Sequence, residues 1–317
     1  MRTNRQFDVP ILFIIFRRKN TALQVIEAIA KVKPKKLYIS QDGPRNQEEK
    51  QEVLETRKAV LSKINWDCDL TVWTHDQNLG LRKHIPGALD RFFKKEEYGI
   101  YLEDDTVPNK YFFSYQKDLL DKYKNDKNIF SISGTNLYPK FSNKDNLYYL
   151  SQIGSVWGMG TWRRSWNKYS SKIQSLKNFN YAEYKNFVFS RKYFIYIKLF
   201  LNLVKSNKIN TWDYQYSYTA IKNRIFFITP SINLVKNIGI NNKGTNMFLQ
   251  NYNSKYSKVS GNQLSNPASN DQIYVKDNDI DYFNRFYKYF YLRIFLNIIF
   301  YLFPESLRRS ITKLFFR

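Results

Sequence analysis

From Val9 to Ser133 short apolar runs alternate with amphipathic segments, and this alternation limits the fold more than any other feature of the sequence. Val9 to Phe16 (VPILFIIF) is continuously apolar, as expected of a strand buried on both faces. Asn20 is placed to cap a helix carrying Leu23, Ile26 and Ile29. Lys36 to Ser40 (KLYIS) reads as a second strand, ending in the turn Asp42-Gly43-Pro44. Asn46 and Glu49 have capping-box spacing ahead of a helix with Val53, Val60, Leu61 and Ile64 at helical intervals. A third strand is expected over Asp69 to Trp73, a helix over Gly80 to Phe93 interrupted at Pro86, and a fourth strand over Tyr98 to Leu102. Pro108 is expected to open another helix, and Asn128 to Ser133 (NIFSIS) is a fifth strand. The order predicts an α/β fold, a mostly parallel sheet flanked by helices on both faces. Ligands of such sheets bind beyond the carboxyl ends of the strands, where Arg17, Asp42 and the triplet Glu103-Asp104-Asp105 fall.

After about residue 150 the pattern loosens. Gly154 to Trp166 is rich in glycine and tryptophan, Phe187 to Val204 reads as an aromatic and basic helix, and Ile225 to Ile228 as a short strand. Gly239 to Asp279 is polar and rich in Asn and Ser, which reads as loop. At 317 residues the chain is long enough for one large core or two joined halves, and 43% hydrophobic residues exclude a disordered chain. The single cysteine, Cys68, excludes an internal disulfide and a thiolate zinc cluster, which suits a reducing compartment. The polar start, Met1 to Pro10, holds no apolar signal core. A net charge of +24 favours anionic surfaces, membrane or nucleic acid.

An acidic triplet at the mouth of a buried strand supplies hard oxygen ligands for Mn²⁺ or Mg²⁺. The competing reading is a solvated acidic turn. Its place after YGIYL and ahead of Pro108 and Phe112-Phe113 favours a ligand site. The segment YGIYLEDDTVPNKYFFSY resembles the metal-site segment of the inverting GT-A glycosyltransferases that include N-acetylglucosaminyltransferase I. FIIFRRKNT, LYISQDGPRNQEE, NLGLRKHIPGALDRFF, GSVWGMGTW and NTWDYQ resemble further segments of that family in the same order, over about residues 9 to 245.

The resemblance implies a GT-A, Rossmann-like fold with a nucleotide-sugar-binding half over 1–150 and an acceptor-binding, catalytic-base half over 151–250. It implies that Asp105 ligates the metal, that Asp104 contacts the ribose and that Glu103 contacts the donor sugar. Asp42 would accept a hydrogen bond from uracil, Arg17 would lie near base or phosphates, and Arg82 and His84 would join the nucleotide pocket. Asp213 would be the general base beside the acceptor oxygen, with Trp212 as a desolvating wall and Trp157 stacking on a sugar face. The residues taken alone leave other readings open: Arg17 or Asp213 as helix caps, His84 as a surface histidine, and the tryptophans as core. The expected partners are a nucleotide sugar, such as UDP-GlcNAc, and a glycan or lipid-linked acceptor, in bacterial surface polysaccharide synthesis in the cytoplasm.

Residues 251–284 read as a polar loop region, and residues 285–317 as amphipathic helices that associate with a membrane. In Phe286 to Phe303 the polar residues Lys288, Arg293 and Asn297 interrupt the apolar run, and with Arg285 they fall within about half the helix circumference at roughly 100° per residue. That is the pattern of an interfacial helix, which places the chain on the cytoplasmic face of an inner membrane with an anionic surface as partner. Three rival readings are weaker. A nucleotidyltransferase needs a Gly-rich phosphate loop where this chain reads FRRKNTA. A nucleic-acid binder concentrates its charge on one patch, whereas Lys and Arg are dispersed here, so no nucleic acid is expected. A non-catalytic basic membrane protein is the remaining alternative.

Overall fold

The computed structural model describes residues 6–136, 147–173, 176–239, 274 and 276–286. Ten strands are β1 (Ile11–Ile15), β2 (Lys36–Gln41), β3 (Asp69–Thr74), β4 (Tyr98–Glu103), β5 (Thr106–Pro108), β6 (Ile129–Ile132), β7 (Tyr148–Ser151), β8 (Met159–Trp162), β9 (Phe226–Pro230) and β10 (Val235–Asn237) among the described residues. The helices are α1 (Lys19–Ala30), α2 (Gln47–Leu61), α3 (Leu81–Lys95), α4 (Phe112–Lys122), α5 (Arg163–Trp166), α6 (Tyr181–Tyr184), α7 (Arg191–Lys205), α8 (Asp213–Asn223) and α9 (Lys276–Phe286).

Eight strands form one sheet in the order β3-β2-β1-β4-β8-β6-β9-β7, and β10 pairs with β5 in a small second sheet. The fold is α/β and Rossmann-like: β1 to β4 are parallel, as the alternation predicts. β8 is antiparallel to both of its neighbours, β4 and β6, and β7 is antiparallel to β9, so these two run against the rest. The Gly/Trp segment thus supplies an interior strand, and the halves on either side of residue 150 share one sheet.

Every residue of β1 is buried, and its alternation divides the core. Ile11, Phe13 and Ile15 pack with α1, α2 and α4 on one face, while Leu12 and Ile14 pack with α3, α5 and α8 on the other. A third layer, built by α6, α7 and α9 on the outer side of α8, is almost entirely aromatic and aliphatic. Gly99 in β4 admits the Phe92 ring of α3 so closely that a Cβ there would overlap it, which sets the depth of that helix on the sheet.

Several local expectations are corrected. α1 begins at Lys19, with Arg18 in the N-cap position, so Asn20 lies inside the first turn and caps nothing. Pro108 ends β5; Asn109 is the effective cap of α4, its Oδ1 accepting from Tyr111 N (2.9 Å) and Phe112 N (3.1 Å). Pro86 does not interrupt α3, which runs on to Lys95; the proline sits early, where it removes one intrahelical bond. Asn46 does cap α2, accepting from Glu49 N at 3.0 Å, but Glu49 returns the bond to Arg45 N, not to Asn46. The polar region expected to be loop up to residue 284 contains α9. The amphipathic segment after residue 286 lies outside the described residues.

Candidate active site

Three chain exits converge at the carboxyl ends of β1 and β4. The turn after β4 is closed by Thr106, whose Oγ1 donates to Glu103 O (2.9 Å) and accepts from Glu103 N (2.8 Å). This turn carries the side chains of Asp104 and Asp105, both buried. From β1, Phe16 N donates to Asp104 Oδ2 at 3.2 Å, and the Arg18 guanidinium spans the pair. Arg18 Nη2 bonds Asp104 Oδ1, and Nη1 lies 2.7 Å from Asp105 Oδ2. From β10, Ile238 N donates to Asp105 O at 2.8 Å. A Cβ on Gly239 would overlap Asp105 Oδ2 and Arg18 Nη1, so a bare backbone forms this wall.

The electrostatics follow from burial. Desolvation pushes the Glu103 carboxyl up to about 8, helped by repulsion from Asp105 and Asp104. Desolvation likewise raises Asp104 to about 6, against the pull of Arg18. Burial alone would lower Arg18, but the two facing aspartates outweigh it and raise the guanidinium above its ordinary value. Asp105 Oδ1 is buried and has no hydrogen-bond partner among the described residues. An anionic oxygen left without a donor is what a cation would satisfy. No three His, Cys, Asp or Glu side chains are gathered as metal ligands among the described residues. The site therefore fits a hard divalent ion only if the protein gives few ligands and a bound substrate gives the rest, as for Mg²⁺ among phosphates.

Asp42 lies beyond β2 and is saturated. Its Oδ1 accepts from Gly43 N (2.9 Å) and Leu79 N (2.8 Å), and its Oδ2 from Asn78 Nδ2 (3.1 Å) and Gly80 N (3.0 Å). These bonds fill the acceptor capacity of a carboxylate, so Asp42 fastens the loop ahead of α3 and has no lone pair left for a uracil. His84, on the same helix, is buried rather than on the surface, with Nε2 2.9 Å from Ser40 Oγ and its ring edge-on to His75. Burial drops it to about 4, so it is neutral at pH 7.

Arg82 reaches away from the strand ends: Nη1 donates to Val204 O and to Asn207 Oδ1, both at 2.8 Å, tying α3 to the end of α7. Its backbone N donates to Asn210 Oδ1 at 3.1 Å. That contact places the segment 210–213 beside the loop that Asp42 holds. Asp213 opens α8; Oδ1 accepts from Thr211 Oγ1 and from Tyr214 N (3.0 Å), and desolvation raises its carboxyl. Trp212 is only 3% exposed. It packs edge-on to Tyr101, two residues before Glu103, and against Trp166, Tyr169 and Tyr216, so its ring backs the wall and offers no free face to a sugar. Trp157 is partly buried against the core, with its carbonyl accepting from Thr135 Oγ1.

The structure thus brings Glu103, Asp104 and Asp105 to one strand mouth and sets Asp42, Arg82 and the Asp213 segment side by side. Arg17 is corrected: it points to α2, pairing with Glu52 at 2.6 Å and Glu49 at 3.5 Å, and Arg18 takes the aspartates. Arg18 and Gly239 were missed by sequence reasoning. Two adjacent arginines at a strand exit were the signal for the first; the glycine of NIGIN stands in a polar stretch that does not mark it out.

No protein-family model matches the chain, and no curated protein matches it. Solved structures with some likeness include a UDP-glucose pyrophosphorylase complexed with UDP-glucose, at 10% identity and TM-score 0.40, covering 70% of this chain and 90% of that one. A 4-diphosphocytidyl-2C-methyl-D-erythritol synthase from Anaerococcus prevotii aligns at 9% identity and TM-score 0.34, over 61% of this chain and 96% of that one. A protein described as a glucose-1-phosphate thymidylyltransferase from Bacillus anthracis aligns at 13% identity and TM-score 0.35, over 80% and 98%. These scores bear on neither the site nor the reaction.

Proposed function

We propose that this chain is an inverting glycosyltransferase that moves a sugar from a nucleoside diphosphate sugar, UDP-GlcNAc among the first candidates, to a glycan or lipid-linked acceptor. The observation that carries the reading is the centre Asp104–Arg18–Asp105 at the strand mouth, with the buried Asp105 Oδ1 unpaired among the described residues. Asp105 would hold Mn²⁺ or Mg²⁺, which when bound neutralises charge on the leaving diphosphate. Arg18 carries a planar fork suited to phosphate oxygens and stands beside that carboxylate. Glu103, at the end of β4 in the same strand mouth, would contact a donor-sugar hydroxyl. Asp42 acts at one remove, by holding the loop and the start of α3.

Asp213 takes the acceptor proton. Its Oδ1 is fixed by Thr211 and Tyr214, and desolvation strengthens it as a base. The acceptor oxygen forms its bond to the anomeric carbon as the bond to the diphosphate oxygen breaks. The diphosphate leaves with the electron pair, and the proton ends on Asp213. The net charge of +24 suits work at an anionic inner-membrane surface on an acceptor of the surface polysaccharide kind.

The test is UDP release from UDP-sugars with Mn²⁺ and candidate acceptors. Asp213→Asn should lower turnover by about 10² or more while donor affinity, read by calorimetry, is kept. Release of pyrophosphate from UTP and a sugar 1-phosphate, with no sugar transfer, would replace this reading with nucleotidyl transfer.

A further inference from the structure

We propose that the outer face of α7 is a docking surface for an anionic lipid bilayer, independently of the reaction at the strand mouth and of the segment after residue 286. Residues 191–208 carry Arg191, Lys192, Lys198, Lys205 and Lys208 and no acidic residue. Lys198 is turned back to the Phe179 carbonyl at 2.6 Å, and the other four are exposed. Among them stands Ile195, 48% exposed, with Leu199 partly exposed beside it and Leu203 partly buried against the third layer at its edge. At roughly 100° per residue Ile195 and Leu199 fall between Arg191 and Lys192 on the same side, and Leu203 lies just beyond Lys192. An aliphatic ridge edged by cations is the surface chemistry of a helix that lies in the headgroup plane.

The same helix argues against other occupants. Its aromatic residues Tyr193, Phe194, Tyr196 and Phe200 are all buried inward, so the outer face has no ring on which a nucleic-acid base can stack. A second copy of this chain would set one positive face against another. The location also has a consequence for the site. The end of α7 is clamped to the start of α3 by Arg82, and there Leu79 and Leu81 are 39% and 46% exposed, beside the backbone N–H groups that hold Asp42. The C-terminal end of this face therefore lies next to the loop ahead of α3.

The experiment uses the full chain with Cys68→Ser, carrying an environment-sensitive fluorophore at Ile195→Cys or at Leu54→Cys, which is exposed on α2 across the sheet. Phosphatidylcholine vesicles are added with and without phosphatidylglycerol. The label at 195 should shift to the blue with anionic vesicles only, and high salt should reverse the shift; the label at 54 should stay unchanged. Reversal of the four exposed charges, as Arg191→Glu, Lys192→Glu, Lys205→Glu and Lys208→Glu, should weaken partitioning at least about tenfold, with the thermal midpoint as the fold control. A silent label at 195 while the chain sediments with vesicles would overturn the proposal and move the contact elsewhere. So would a label that answers RNA and not vesicles.

Discussion

Arg17 and Arg18 are chain neighbours with different tasks, and the difference arises where β1 ends. Strand parity assigns faces only as far as Ile15; beyond it the backbone turns into α1, and alternation no longer says which arginine looks inward. The acidic triplet was legible because it follows a buried strand, whereas its counter-ion was not. Asp42 was legible only as a turn residue: three of its four donors come from residues 78–80, far along the chain. Removing Arg18 tests the centre. Arg18→Ala leaves two buried carboxylates facing each other, and the side chain it removes is 43% exposed. The loss expected, discounted for that exposure, is on the order of 1–2 kcal/mol, read by denaturant titration. Mn²⁺ should then raise the thermal midpoint more in the variant than in the parent chain, because the competing cation is gone. An equal rise in both would separate Arg18 from the metal-binding oxygens.

At the scale of elements, α9 shows why a polar composition misled. Its first turn carries Asp277 and Asp279, which suit a helix N-terminus, and its anchor is a single buried ring, Phe283, set among Phe189, Tyr193 and Tyr196. A one-ring anchor leaves little periodicity to read. Asp279 is buried as well: Oδ2 accepts from Gln152 N at 2.8 Å, and Oδ1 lies against Ser151 Oγ. Ser151 Oγ also lies 3.0 Å from Ile153 O, and one hydroxyl proton cannot serve both oxygens. Protonated Asp279 resolves this by donating to Ser151, which then donates to Ile153. Burial raises the Asp279 carboxyl to about 7, with Tyr149, Tyr193 and Tyr274 close by. The folded value exceeds the unfolded one, so its stabilising contribution is full below pH 3.8 and is lost as pH rises through about 7. Asp279→Asn imitates the protonated form. Its thermal midpoint should match the parent at low pH and exceed it increasingly toward neutrality; a difference that stays flat with pH would show that Asp279 is ionised throughout.

At the scale of the molecule, the parallel strands β1 to β3 were legible because each pairs with its neighbour in sequence across one helix, and β4 because its apolar run is as continuous as that of β1, although its partner in the sheet is the distant β1. The position of β8 was not: Met159–Trp162 is a short apolar run with no mark to say that it enters between β4 and β6. A chain ending at residue 150 should therefore leave the inner edge of β4 without a partner and self-associate in size-exclusion chromatography, while one ending at residue 286 stays dispersed. The insertion also fixes an order of events during synthesis. The ribosome delivers β1 to β4 and then β6 before the strand that must join them, so the nascent sheet stands in two pieces until Trp162 has emerged. The acidic turn sits at the end of the very strand left open, and its second wall, Ile238–Gly239, arrives later still. An acidic turn built this way stays open through most of translation, and a translation pause between residues 132 and 162 would prolong the exposure of β4 to neighbouring chains.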